Sequence, residues 1–432
     1  MNEVAFHIMT KPTGPICNLD CKYCFYLEKE RLYPGKHSWK MPPETLESYI
    51  RQHIETQTIN EVTFAWQGGE PTLMGLDYFR QVVELQRRYG ANRRIVNAFQ
   101  TNGVLLDDDW CRFFQENQFL IGISIDGPEP LHDYYRVDRG GKPSFQKVMR
   151  GLEFLHKHQV DFNTLTVVND QNSRHPLEVY RFLKSIGSLV MQFIPVVERL
   201  AEGPSADGLD LVSPEHGEKA HVTDWSVDSD RYGSFLCAIF DEWVKQDVGR
   251  RFVQLFDITL ESYMGMPQSL CWFRERCGEA LALEHNGDLY SCDHFVYPAH
   301  RLGNIMEEPL LSLVQSQQQK DFGNAKADSL PKQCLQCDVR FACHGECPKH
   351  RFLETADGEP GLNYLCSGYL RFFRHTAPYM KFMANQLRLK RSPSEVMGLA
   401  ARLEPEFAKA ARNEACPCGS EQKFKKCCGR TR

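Results

Sequence analysis

The sequence predicts an α/β fold built from parallel βα units, and three observations carry that expectation. Six apolar or β-branched runs of strand length stand at 4–9, 61–66, 95–99, 120–125, 162–168 and 190–197. Helical patterns lie between them at 43–56, 76–89, 107–116, 145–158 and 176–185. The cysteines avoid this stretch: residues 25–270 hold only Cys111 and Cys237. Strands alternating with helices argue for parallel pairing. Right-handed crossovers close such strands into a full or partial barrel, with functional groups at their carboxyl ends.

Length and composition bound the remainder. The chain has 432 residues, room for roughly two to three domains. Hydrophobic residues make up 42% and charged residues 25%, which excludes a disordered or collagen-like chain. A formal charge of −5 is too mild for a whole-chain nucleic-acid binder. No apolar run approaches the roughly 18 residues of a membrane span. The first residues lack the basic start, apolar stretch and cleavage site of a signal peptide. The expected location is therefore the cytoplasm. There, 17 cysteines read as metal or redox sites and not as a disulfide framework.

The elements can be taken in chain order. After the first strand come Cys17, Cys21 and Cys24, followed by Phe25 and Tyr26. Three thiolates on one loop can hold three irons of a 4Fe–4S cluster and leave the fourth open. A zinc site completed by a remote ligand is the alternative. Gln67, Gly68, Gly69, Glu70 and Pro71 end the second strand; on its own this run is a turn. Gln100 to Gly103 end the third strand. Ser124 to Pro128 end the fourth, with Tyr135 and Arg136 close behind. Asn163 on the fifth strand and Gln192 on the sixth either face the barrel interior or satisfy backbone at a strand end. Residues 198–230 are polar and rich in Gly, Pro and Ser, an irregular insertion.

A C-x3-C-x2-C loop after strand one of a βα barrel resembles the radical S-adenosylmethionine (SAM) superfamily. The resemblance implies a partial (β/α)6 TIM-like barrel. It implies a 4Fe–4S cluster on Cys17, Cys21 and Cys24, and SAM contacts from Tyr26, Gln67, Gly68, Gly69, Glu70, Ser124, Arg136, Asn163 and Gln192. In such a Gly-Gly-Glu run the glycines admit a close backbone approach, and a carbonyl or carboxylate receives the SAM ammonium.

Eight further cysteines lie between Cys271 and Cys366. Eight thiolates suit two fully ligated 4Fe–4S clusters, or two zinc knuckles. The run Cys334, Cys337, Cys343, Cys347 resembles the SPASM module of some radical SAM enzymes. The resemblance assigns Cys271, Cys277, Cys292 and Cys347 to one auxiliary cluster. It assigns Cys334, Cys337, Cys343 and Cys366 to a second. Residues 284–290 read as a hairpin turning on Asn286 and Gly287. With 99–103, 125–128, 301–305 and 362–366, the whole of 5–385 is similar to the anaerobic sulfatase-maturating enzymes, in their AslB-like branch. In that family an aspartate at the place of Asp293 is the proposed general base.

The chain ends in Cys416, Cys418, Cys427 and Cys428, which resembles the SEC-C motif. Four soft ligands with no free position suit one structural zinc, which would supply the folding free energy of so short a segment. The expected domains are therefore a radical SAM barrel (1–240), a SPASM domain (241–385), a linker (386–411) and a zinc knot (412–432).

The family chemistry implied is oxidation of a cysteine or serine in a sulfatase polypeptide to Cα-formylglycine. A 5′-deoxyadenosyl radical takes a β-hydrogen, a base takes the side-chain proton, and a second electron leaves through the auxiliary clusters. The implied partners are an unfolded sulfatase polypeptide, a flavodoxin or ferredoxin as electron donor, and a chaperone or ribosome at the zinc knot. Two other readings stand beside this one. One is a SPASM enzyme that crosslinks or epimerises ribosomal peptides. The other is a zinc-bearing binding protein.

Overall fold

The computed structural model describes residues 6–33, 35, 38–203, 205, 207–217, 219–415 and 423–426. The strands are β1 (His7–Lys11), β2 (Glu61–Trp66), β3 (Arg94–Thr101), β4 (Leu120–Ser124), β5 (Phe162–Val168) and β6 (Val190–Pro195). Between them run α1 (Pro43–Thr56), α2 (Leu76–Tyr89), α3 (Asp108–Glu116), the short α4 (Glu129–His132), α5 (Phe145–Lys157) and α6 (Pro176–Ser185). Their starts are written in the sequence. Pro43 opens α1 from its first turn. The Asp107 carboxylate accepts from Trp110 N to cap α3.

The described residues divide into two compact units. One takes in Met1–Leu165, Val197–Ser226 and Arg276–Asp328; the other takes in Thr166–Val196, Val227–Glu275 and Ser329–Arg432. In the first unit β1 to β5 pair in parallel, in chain order. On the other side of β1 lies Ala280–Glu284, also parallel, with Lys11 beside Glu284. Asp288–Tyr290 and Arg301–Asn304 extend the sheet antiparallel, so the sheet is mixed. Gly287, at φ +90°, makes the Asn286–Gly287 hairpin turn expected from sequence.

Alternation along the strands sorts the two faces. Ile8, Val62, Phe64, Trp66, Phe99, Ile121 and Ile123 are buried. Tyr49, Phe79 and Phe114, from the helices, are buried with them, and each large apolar side chain contributes roughly 1.5–3 kcal/mol. The Asn97 carboxamide closes this layer: its Oδ1 accepts from Trp66 Nε1 and Gln86 Nε2, both at 2.9 Å. The opposite face carries small or polar residues: Ala65, Ala98, Gly122, Gln100, Ser124 and Asn163.

In the second unit β6 pairs with Phe252–Val253. Its helices include α7 (Ser229–Gln246), α8 (Gln254–Met264) and the long Cys366–Arg388. α7 and Cys366–Arg388 cross where glycine meets glycine: a Cβ on Gly233 would lie 2.6 Å from Gly368 Cα. The insertion expected to be irregular holds one short antiparallel ladder, Arg199–Ala201 with Ala220–Val222. The segment expected as a linker contains the helix Val396–Lys409.

Candidate active site

The three-cysteine loop leaves the carboxyl end of β1 and is clamped from residues 135–139. Asp20 N donates to Val137 O at 2.8 Å, Lys22 N to Tyr135 O at 3.0 Å, and Arg139 Nε to Cys17 O at 2.8 Å. Burial pushes the Cys17 and Cys21 thiols up to about 12 and the Cys24 thiol up to about 11. Three half-buried thiols with no disulfide among them are a donor set for an iron–sulfur group, which binds as protons leave.

The Gly-Gly-Glu turn lies flat against this loop. Gly69 N donates to Gly14 O at 2.8 Å and Glu70 N to Ile16 O at 2.9 Å. A Cβ on Gly69 would stand 2.0 Å from Ile16 O, and Gly68 sits at φ +123°, so both positions require glycine. The Glu70 carboxylate is buried and taken up by the protein. It accepts from Thr72 N (3.0 Å), Thr72 Oγ1 (2.7 Å), Thr101 Oγ1 (2.8 Å) and Asn102 N (2.8 Å). Asn102 Nδ2 in turn donates to Asn18 Oδ1 at 2.7 Å and lies 3.6 Å from Cys17 Sγ. The ends of β2 and β3 thus brace the cysteine loop through Glu70.

Arg136 is buried behind the loop. Its Nη1 donates to Tyr23 OH at 2.8 Å, and that hydroxyl donates to Asp126 Oδ2. Burial opposes its charge, yet Tyr23, Cys21 and Asp126 hold its pKa well above the usual guanidinium value. Its Nε has no hydrogen-bond partner among the described residues. Ser124 Oγ accepts from Gln100 Nε2 at 3.0 Å. Asn163 pairs in register with Gly122, on the same face as Ser124. Gln67 N donates to Thr10 O at 2.8 Å at the end of β2. Gln192 lies on β6, in the second unit.

Asp293 follows Cys292 in a single 3-10 turn. Its Oδ1 is ion-paired to Lys11 Nζ, whose side chain is 3% exposed against 20% for the aspartate. The Lys11 ammonium also lies 3.7 Å from the centroid of the Tyr26 ring. Tyr26 OH donates to Glu284 Oε1, and Glu284 Oε2 lies 3.2 Å from His285 Nδ1.

In the second unit Cys334, Cys337, Cys343 and Cys366 line one cavity, with Arg340 and Asn363 on its wall. Burial, then the charge of neighbouring cysteines, pushes the Cys366 thiol up to about 11. Of the other four, Cys277 and Cys292 lie in the first unit, Cys271 and Cys347 in the second. Among the described residues no group of three or more His, Cys, Asp or Glu side chains is close-set enough for a single metal ion. Cys416, Cys418, Cys427 and Cys428, the expected zinc ligands, lie outside the described residues.

Known proteins match along the same lines. Residues 12–183 match the radical SAM superfamily, 271–338 an iron–sulfur cluster-binding domain (SPASM), and 412–430 the SEC-C motif. A serine-type anaerobic sulfatase-maturating enzyme of Bacteroides thetaiotaomicron is 49% identical over 90% of this chain and 94% of its own length. The chain belongs to the anaerobic sulfatase-maturating enzymes. A cysteine-type member of this family from Clostridium perfringens is 32% identical, over 88% of this chain and 99% of its own. The solved structure of native anSMEcpe with bound AdoMet and Cp18Cys peptide matches with a TM-score of 0.76 at 32% identity, covering 88% of this chain and 99% of that one.

For a member of this family, the sequence alone leaves Lys11, Tyr23, Asp126 and Glu284 out of the site. The signal for Lys11 was a cation at the end of an apolar run. The observed strand continues through it, two residues past the expected end. No helix of the described residues is long and apolar enough to cross a membrane.

Proposed function

We propose that this chain oxidises a cysteine or serine side chain of a sulfatase polypeptide to Cα-formylglycine. The observation that carries the reading is the convergence, at the carboxyl end of β1, of the three-cysteine loop and the Lys11–Asp293 pair. When bound, an iron–sulfur cluster on Cys17, Cys21 and Cys24 together with SAM supplies hydrogen-atom abstraction from the substrate β-carbon.

The chain's own residues do the rest. Carbonyls of the Gly68–Gly69 turn are left for the SAM ammonium, because the Glu70 carboxylate is spent on four protein donors. Arg136, with its unpartnered Nε, offers a buried cation for the SAM carboxylate. Tyr26, Gln67, Ser124, Asn163 and Gln192 complete the proposed contacts. Asp293 takes the proton of the substrate thiol or hydroxyl, and Lys11 holds its other side. Cys271, Cys277, Cys292 and Cys347, and the four cysteines of the second-unit cavity, would hold two auxiliary clusters, which would supply electron transfer. That makes three 4Fe–4S clusters, with one zinc in the terminal motif. A flavodoxin-like or ferredoxin-like donor supplies the reducing electron, and the terminal motif contacts a chaperone or ribosome. The division into barrel, SPASM domain, linker and knot belongs to the same proposal.

The test is anaerobic. Reconstituted, reduced protein is given SAM and a peptide carrying Cys-x-Pro-x-Arg, with its serine twin alongside. Peptide mass and 5′-deoxyadenosine are read together. Formylglycine is expected, and faster from the serine peptide, since identity to the serine-type relative is 49% against 32% for the cysteine-type. Deoxyadenosine with both peptides unchanged would move the substrate to another peptide class.

A further inference from the structure

Between Cys343 and Cys347 the chain makes a turn that three consecutive residues hold in the left-handed region: His344 at φ +46°, Gly345 at +73° and Glu346 at +54°. One guanidinium pins it. Arg351 Nη2 donates to His344 O (2.8 Å) and Glu346 O (2.9 Å), and its Nε to Gly345 O (2.9 Å). The arginine thus ties together three consecutive carbonyls of the turn.

That carboxylate, of Glu346, is 0% exposed. Its Oε2 accepts from Asn363 Nδ2 at 2.6 Å and faces His350 Nδ1 at 3.0 Å. Its Oε1 has no hydrogen-bond partner among the described residues. Backbone in an unfavourable region and a buried oxygen left unpaired are both costly. A protein keeps such a group where the charge itself is useful. The neighbours say where it is felt. Asn363 lines the cysteine cavity. Gly345, next to Glu346 in the same turn, lines it too.

We propose that Glu346 is a fixed negative charge that lowers the reduction potential of the iron–sulfur group held by Cys334, Cys337, Cys343 and Cys366. Adding an electron beside a buried carboxylate in a low-dielectric interior is unfavourable, less so when His350 is protonated against it, and net charge and hydrogen bonding are what set cluster potentials. The carboxylate thereby makes this centre a weaker acceptor and a readier donor than it would be without that charge.

The inference rests on the reading of these four cysteines as cluster ligands, and the experiment separates the two. Full-length protein is reconstituted anaerobically, and iron content is compared with that of Cys334→Ala/Cys337→Ala. The auxiliary centres are then titrated against potential by electron paramagnetic resonance in the parent, Glu346→Gln, Glu346→Gly and Glu346→Asp. Glycine suits the positive φ, so it removes the charge without the backbone strain that glutamine keeps. The expected result is a shift of one auxiliary signal to more positive potential in Gln and Gly, with iron content unchanged and Asp close to the parent. An unshifted potential in either charge-removing variant at full iron content overturns the role of Glu346. Iron content unchanged by the double cysteine variant overturns the cluster reading beneath it.

Discussion

Lys11 Nζ grips Asp293 Oδ1 across 282 positions of sequence (293 less 11). The pair meets because β1 and Ala280–Glu284 run parallel, with Lys11 beside Glu284. The hairpin that follows Ala280–Glu284 then returns the chain through Cys292 to Asp293. A cation with its side chain 3% exposed needs a partner, and here it has a carboxylate on one side and the Tyr26 ring on the other.

That relationship sets the first expectation. Lys11→Met removes the cation and keeps the stem. It should leave SAM cleavage measurable and cut formylglycine by roughly tenfold or more, because a misplaced base forfeits part of its roughly 10²–10⁴-fold contribution. Lys11→Arg should recover part of the yield, and Asp293→Asn should be at least as impaired as Lys11→Met. Deoxyadenosine counted per formylglycine is the readout; a ratio unchanged from the parent would remove Lys11 from the site.

Gly69→Ala is a packing test. The new Cβ has nowhere to go with Ile16 O at 2.0 Å, so the cysteine loop must move. Iron on the first three cysteines and SAM cleavage should both fall, while auxiliary iron stays. Iron analysis with and without the substitution checks it, and an unaltered iron count would show that the loop yields freely.

The second unit carries a pH dependence. Burial, then the nearby charge of Glu261, raises Asp257 to about 7. A carboxyl whose pKa is raised on folding stabilises the protein below its unfolded value, and that stability is lost as pH rises through about 7. Asp257→Asn should therefore raise the thermal midpoint at about pH 8 and flatten its slope down to about pH 5. Thermal unfolding across that window measures it; an unchanged slope would place the titration elsewhere.

Deleting residues 412–432 should leave turnover of a short peptide within roughly twofold of the full chain, since the SEC-C match at 412–430 lies beyond every residue assigned to catalysis. A collapse in peptide turnover would make the terminal motif part of the catalytic body.

Much of this was legible in the chain itself. Strand and helix positions follow from hydrophobic period, and four of the expected helices begin at the residue observed (Pro43, Leu76, Phe145 and Pro176). The cysteine spacing specified loop chemistry because ligands on one short loop are close whatever the rest does. The role of Glu70 was not legible. Its motif suggests a ligand contact, but whether its carboxylate faces a ligand or backbone donors depends on Thr101 and Asn102 arriving from β3.

Local order, then, was set by sequence alone: where strands and helices fall, which turn takes Asn286–Gly287, and which cysteines share a loop. Each depends on residues a few positions apart. Only the tertiary structure decided that Lys11 meets Asp293 and that Glu70 is spent inside the protein. Those pairings come from strand register and helix packing between distant segments. The energy that selects them is spread over a whole core, and no short run of residues encodes it.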